Sequence, residues 1–198
     1  NREARMTSLA LTPPVTIAIC AYNAAGTIAR TLRSVAAQTV QNHEVLVIDD
    51  GSTDETAQIV QAFTEVDVRV KLVRQSNRGV AATRNRAMEL GQAPVVAFLD
   101  ADDYWTMDHL AVHLDLLETS EASVAFSTAR FVDPLGMATG DISRTPVGPI
   151  SAEQAFYGNP CTTCSTMLIR RSVFNAIGQF RVGLNHAEDQ EWILRGVL

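Results

Sequence analysis

The sequence is poor in cysteine, almost without lysine, and lacks any long apolar run. Its 198 residues hold three cysteines, Cys20, Cys161 and Cys164. So odd and sparse a set makes no disulfide framework and reads as reduced thiols of an intracellular protein. The basic residues are arginines except for Lys71, so a mechanism that requires lysine has one candidate. No stretch approaches the roughly 18–20 apolar residues of a membrane-spanning helix. Asn1–Thr12 carries two arginines but only a three-residue apolar stretch, too weak for a signal peptide. Met6 reads as a native start, with residues 1–5 an expression scar and residues 1–14 a disordered leader. Twenty-two acids against 16 bases leave a formal charge of −6. That argues against nucleic acid as a partner, because broad binding needs a basic face to displace counterions. The expectation is a soluble, cytoplasmic chain.

What is present is an ordinary globular composition, 46% apolar and 19% charged, of a length suited to one domain over residues 15–198. Val15–Cys20, Glu44–Ile48 and Pro94–Leu99 are short, nearly continuous apolar runs, the pattern of buried strands. Val66–Val73 alternates apolar and charged residues, as a half-exposed strand does, and Ser123–Ser127 reads as another strand. Helical spacing appears over Thr27–Gln38, from a Ser52–Glu55 capping box to about Phe63, over Val80–Leu90 with Gly91 as a stop, and over Met107–Glu118. Strands separated by helices predict an α/β fold with a mostly parallel sheet. After Ala129 the rhythm breaks. Asp133–Pro149 reads as a loop or irregular hairpin, Ala152–Tyr157 as a helix, Cys164–Ile169 as a strand and Ser172–Ile177 as a helical turn. Glu188–Leu198 is a helix with acids in its first turn, where they favour the dipole; it ends without a cap, so the native chain is expected to continue.

In open parallel sheets ligands bind beyond the carboxyl ends of the strands. Three strands deliver polar residues there: Tyr22 and Asn23, then Asp49 and Asp50, then Asp100 to Asp103. If Asp100 keeps extended geometry, Asp100 and Asp102 point the same way, and side-by-side carboxylates repel unless a proton or cation separates them. A hard cation such as Mg²⁺ or Mn²⁺, completed by water and phosphate, fits such a pair. Acids at strand ends also cap helices, a role open to Asp103 and Asp108, and Ser52 or Asp54 is most simply a helix cap. His109 and His113 lack a third ligand and read as a solvent-facing pair. Cys161 and Cys164 lack a second pair and read as small residues near a strand. Trp105 and Trp192 are open to stacking on a sugar or to packing.

The segments Val15–Asn23, Gln38-Thr39, Val47–Asp54, Asn77–Gly79, Ala82–Asn85, Phe98–Asp103 and Glu188-Asp189, taken in this order and spacing, resemble the family 2 inverting glycosyltransferases. The resemblance implies a GT-A fold, Rossmann-like with helices on both faces of the sheet. Residues 15–128 would form the half for a nucleotide-diphosphate-sugar donor, and residues 129–198 the acceptor half. It implies that Ala21, Tyr22, Asn23, Asp50 and Gly79 hold the nucleoside, with Asp50 at the uracil edge and Arg84 near the nucleotide. Asp100 would contact the ribose or a metal's water shell, Asp102 would ligate Mn²⁺ or Mg²⁺, and Asp189 would be the catalytic base. Cys161–Ser165 would face the acceptor. Cys20 stands where the family commonly has proline, and the Gln-x-x-Arg-Trp pattern of processive members is absent.

The implied reaction is metal-dependent inverting transfer of a sugar, from UDP by family frequency, to a hydroxyl acceptor in surface polysaccharide assembly. A lipid-linked acceptor and peripheral contact with the inner face of the membrane, through a missing C-terminal segment, would fit it. Asp50, Asp100, Asp102, Asp103, Glu188 and Asp189 equal in number the whole formal excess of acids, so sharing one cleft they would make anionic-donor binding depend on a cation. A nucleotide-sugar-binding module without turnover, or the donor half of a longer enzyme, is the alternative. A haloacid-dehalogenase-like phosphohydrolase, suggested by Phe98–Asp102, would need a lysine after Lys71, and none follows. A dinucleotide-binding Gly-x-Gly-x-x-Gly is not supplied by Ala24-Ala25-Gly26.

Overall fold

The computed structural model describes residues 14–184 and 186–198; the leader predicted for residues 1–14 lies, except for Pro14, outside the described residues. Strands β1 (Val15–Ala21), β2 (His43–Asp49), β3 (Val70–Arg74) and β4 (Val95–Asp100) alternate with helices α1 (Ile28–Ala36), α2 (Thr56–Val66) and α3 (Val80–Leu90). Then follow α4 (His109–Thr119), β5 (Val124–Phe126), a hairpin of β6 (Arg130–Val132) and β7 (Ala138–Ile142), α5 (Ala152–Tyr157), β8 (Met167–Arg170), α6 (Arg171–Ile177) and α7 (Glu188–Val197). The central sheet has the order β3-β2-β1-β4-β8-β5. Its first four strands are parallel, and β8 runs antiparallel to both neighbours. No helix among the described residues is long and apolar enough to cross a membrane.

Strand alternation explains why both faces carry helices. Val15, Ile17 and Ile19 pack with Ile28, Leu32, Val35, Val60 and Leu110 under α1, α2 and α4. Ala18, Ile48 and Phe98 point the other way and pack with Met88, Phe174 and Trp192 under α3, α6 and α7. The expected α/β layering is therefore met, with two cores separated by one sheet.

Four local expectations are corrected. Val66 and Val68 are exposed: α2 runs through Val66, and the Asp67 carboxylate then accepts from the Arg69 backbone N–H at 3.0 Å. That Asx turn delays the strand to Val70. Ser52 does not cap α2, because its hydroxyl accepts from the Asn23 N–H, while Asp54 accepts from the Thr56 N–H at the helix start. Cys164–Thr166 is a 3-10 turn that precedes β8. His109 and His113 are buried, not solvent-facing: the His109 ring stacks on Trp105 at 4.3 Å between centroids and lies tilted against His113 at 4.1 Å. Burial pushes the His109 imidazole down to about 3 and lowers His113 as well, so both are neutral and pack as flat aromatic surface. Trp105 and Trp192 are likewise core residues.

Helix α3 does end before Gly91, but not through a left-handed cap, since Gly91 is at φ −67°. The residue is small because a Cβ there would lie 2.7 Å from Thr16 Cγ2 and 2.9 Å from Arg171 Nη2. Thr16 cannot yield easily: its hydroxyl donates to Glu44 Oε1 at 2.6 Å and accepts from the Ala93 N–H. Gly91→Ala is expected to cost about 1–3 kcal/mol by overpacking, read as a lowered urea midpoint with unchanged slope. A stability within about 0.5 kcal/mol of the parent would show that this junction relaxes freely.

Candidate active site

The parallel register brings three strand ends together. Ala21 lies opposite Asp49, and Cys20 lies opposite Asp100. Asp49 is wholly buried and structural, accepting from the Ser52 N–H and from Arg74 Nε, both at 3.0 Å. Asp100 instead faces residues from distant segments. One carboxylate oxygen accepts from Arg84 Nη2 at 2.9 Å and the other from the Thr163 hydroxyl at 3.0 Å. The Ser165 hydroxyl accepts from the Asp100 N–H, and the Ser165 carbonyl accepts from Trp105 Nε1 at 2.7 Å. The loop before β8 is thereby fastened to the end of β4.

Arg84, on α3, bridges Asp100 to Glu188, the first residue of α7. The cleft beside this bridge has a volume of about 430 Å³, and its walls include Arg84, Asp100, Asn159, Thr163, Glu188 and Asp189. Asp189 is 9% exposed, and its carboxylate accepts from Asn159 Nδ2 and the Gln190 N–H, both at 2.8 Å. Ala187, just before it, is in the left-handed region at φ 62°, as is Thr162 on the other wall at φ 64°. Such backbone costs of order 1–3 kcal/mol and persists where the surroundings fix it.

Arg84, Asp100 and Asp189, singled out from the sequence, thus meet in one cleft. Asn159 was missed; its signal was the turn dipeptide Asn159-Pro160. Cys161 and Cys164 are buried, and burial pushes the Cys161 thiol up to about 12, so it is no thiolate at neutral pH. Lys71 is engaged elsewhere, with its Nζ 3.5 Å from Glu44 Oε2.

The other predicted binding residues surround a second group of loops. Tyr22 is 53% exposed beyond β1. Asn23, left-handed at φ 49°, spends its side-chain carbonyl on the Thr53 N–H at 2.9 Å. Ala21 is buried, and its carbonyl accepts from the Asp50 N–H. Asp50 is 3% exposed and accepts from Gln75 Nε2 at 2.7 Å, the Arg78 N–H at 2.9 Å and the Gly79 N–H at 2.8 Å. It therefore positions the loop that starts α3 and stands outside the cleft lining. Gly51 makes this approach feasible: at φ 80°, a Cβ there would sit 2.8 Å from the Asn77 nitrogen.

The donor set for a divalent cation is oxygen-only. Strand geometry stops at Asp100, where the Asp103 N–H returns to the Asp100 carbonyl, so the next residues form a turn rather than an alternating strand. Asp102 is exposed, and its carboxylate makes no hydrogen bond among the described residues. Burial, reinforced by the Asp100 and Asp102 charges, raises the Asp103 carboxyl above its ordinary value. Crowded acids with one free carboxylate suit a hard cation. Among the described residues no three acid, histidine or cysteine side chains converge on one point, so water and ligand oxygens would complete the shell.

The pattern described as "Glycosyl transferase family 2" matches residues 16–178. The chain is 36% identical over 153 residues to the succinoglycan biosynthesis protein ExoU of Rhizobium meliloti, covering 67% of this chain and 44% of that one. It is 30% identical over 159 residues to WfaP of Escherichia coli, a UDP-Glc:α-D-GlcNAc-diphosphoundecaprenol β-1,3-glucosyltransferase, covering 80% and 61%. Among solved structures, S. aureus TarS in complex with UDP-GlcNAc superposes with a TM-score of 0.74 at 23% identity, covering 92% of this chain and 53% of that one. The Pyrobaculum calidifontis mannosyltransferase PcManGT with GDP-Man and Mn²⁺ gives 0.68 at 23%, covering 96% and 56%. These likenesses establish the GT-A fold. The chain spans about half the length of the curated relatives it matches.

Proposed function

The chain belongs to glycosyl transferase family 2, and on that premise we propose that it transfers a sugar, with inversion, from a nucleotide-diphosphate donor to an acceptor hydroxyl. The observation that carries this reading is the meeting of Asp189, Glu188, Arg84 and Asp100 in one cleft at the carboxyl ends of the strands. The acceptor oxygen bonds to the anomeric carbon while that carbon's bond to the diphosphate oxygen breaks. The electron pair leaves with the nucleoside diphosphate, and the hydroxyl proton passes to the Asp189 carboxylate. Asp189 suits this role because its partners are neutral N–H donors, whereas Glu188 is committed to Arg84. Asp102 would hold Mn²⁺ or Mg²⁺, with Asp100 at the metal's water shell, and the cation would supply neutralisation of charge developing on the departing diphosphate.

Tyr22 and the Ala21–Asn23 turn form the nucleoside platform in this reading, with Gly79 as part of the loop below it. Asp50 accepts three hydrogen bonds, which leaves room for one more from a base N–H. UDP is the favoured nucleotide; WfaP and TarS carry UDP-sugars in their descriptions. The acceptor in this reading is a hydroxyl of a lipid-linked saccharide in surface polysaccharide assembly; WfaP's description names GlcNAc-diphosphoundecaprenol, such a lipid-linked sugar. We place the reaction in the cytoplasm at the inner face of the membrane, where such an acceptor is presented. The phosphohydrolase alternative falls with the family assignment.

Calorimetric titration of UDP with and without Mn²⁺ tests the reading. Binding in the micromolar range that requires Mn²⁺, and that weakens at least about tenfold in Asp102→Ala, is expected for a cation shared by carboxylate and diphosphate. Failure of UDP, GDP and dTDP alike, with Mn²⁺ and folded protein, would overturn the donor site. Tight binding without release of UDP from UDP-sugars, with acceptors supplied, would favour a binding module without turnover.

A further inference from the structure

The carboxylate assigned as base is held by a loop outside the motifs that carried the resemblance, through Asn159. Asn159 follows α5 and precedes the Cys164–Thr166 turn. Its amide orientation is fixed by two demands at once. The Cys161 N–H needs an acceptor and finds Asn159 Oδ1 at 3.1 Å; the Asp189 carboxylate needs a donor and finds Asn159 Nδ2 at 2.8 Å. A flipped amide would oppose donor to donor and acceptor to acceptor. The far end of the same unit is tied too, because Gln190 Nε2 donates to the Ala155 and Phe156 carbonyls of α5. The segment carrying Asn159 and the helix carrying Asp189 thus form one hydrogen-bonded unit.

We propose that Asn159 is the positioning residue of Asp189: it locks one carboxylate oxygen while the Gln190 N–H holds the other, and each oxygen keeps a lone pair for the acceptor hydroxyl. This rests on the transfer reading above and extends it to the acceptor side. The contact therefore aims the base. The titratable groups surrounding Asp189 are Glu188 on its own helix, His186 in the preceding loop, Arg84 from α3, Asp100 from β4, and the thiols of Cys161 and Cys164.

Asn159→Asp separates positioning from folding. It keeps an acceptor for the Cys161 N–H, so the loop retains its tie, but it turns the donor facing Asp189 into a second carboxylate. Asn159→Ala removes both contacts, together with the 3.4 Å bond from Nδ2 to the Thr162 carbonyl, and serves as the comparison. Two readouts are needed: the titration midpoint of the Asp189 carboxyl carbon by ¹³C NMR, assigned through Asp189→Asn, and the pH profile of UDP release from UDP-glucose with Mn²⁺. Asn159→Asp is expected to raise the midpoint by more than about one pH unit, since neighbouring carboxylates resist joint ionisation, and Asn159→Ala by less. The acid limb of UDP release should move with it, and the rate at pH 7 should fall about tenfold, part of what a general base contributes. The Kd of UDP with Mn²⁺ should stay within about twofold. Midpoints that stay put in both variants overturn the contact. A midpoint that moves while the rate profile does not overturns the positioning role. Unchanged UDP release in Asp189→Asn is a separate result: it removes the base assignment, while the midpoint still reads the Asn159 contact.

Discussion

Asp189→Asn is expected to lower UDP release from a UDP-sugar by about 10²–10⁴-fold while leaving Mn²⁺-dependent UDP affinity within about twofold. The range is what a positioned general base contributes, and at roughly 1.4 kcal/mol per factor of ten it corresponds to about 3–5 kcal/mol of transition-state stabilisation. The carboxamide has nearly the shape of the carboxylate, so the cleft keeps its walls. It has one acceptor oxygen where the carboxylate has two, and so serves either Asn159 Nδ2 or the Gln190 N–H but not both. Losing that one hydrogen bond should cost about 1 kcal/mol of stability, a small drop in melting temperature that tells a folded, inactive variant from an unfolded one. Glu188 cannot substitute readily, because taking the proton would break its pairing with Arg84 in a site where both side chains are almost fully buried. A single-turnover rate within tenfold of the parent would mean that another group accepts the proton.

The strands and the donor-side helices were legible because each is a local pattern. Val15–Ala21 is a nearly continuous apolar run, and Val45–Ile48 is another, closed by Asp49; such runs lie in the middle of a parallel sheet. The misread elements are those whose outcome depends on one side-chain hydrogen bond or on tertiary packing. Asp67 turned a strand-like alternation into a helix end and an Asx turn, and Trp105 made a buried stack of two histidines that looked like a polar face. The site divides the same way. Asp50, Asp100, Asp102 and Asp189 sit in recognisable strings, but the sequence could not tell that Asp50 is occupied by the Gln75–Gly79 loop or that Thr163 secures Asp100. Asn159 and Asp189 are 30 residues apart, and no periodicity connects a turn asparagine to the first turn of a later helix.

Replacing Arg84 with methionine should be the most destabilising single change in the cleft, by about 3–5 kcal/mol, the usual cost of breaking a buried ion pair from one side. The Arg84 side chain is 5% exposed and faces Glu188 at 10% and Asp100 at 28%. Methionine fills much the same volume, so the loss is not mainly a cavity; it comes from two carboxylates left facing each other without their cation. Arg84 is also not fully satisfied as it stands, since its buried Nε has no hydrogen-bond partner among the described residues. The ion pairs therefore carry the balance, and the second site should reveal it. Glu188→Gln added to Arg84→Met should recover more than about 1 kcal/mol, the coupling expected of residues in direct contact. Urea unfolding of the two single variants and the double variant measures this directly. A loss below about 1 kcal/mol in Arg84→Met, or full additivity of the two changes, would mean that the carboxylates reach water once the arginine is gone. The charge arrangement also bears on why this position is not simply apolar. Among the described residues Arg84 is the one arginine or lysine lining the cleft, and a cation held between two acids is stable without a ligand yet, on the proposed reading, already in place for an anionic donor.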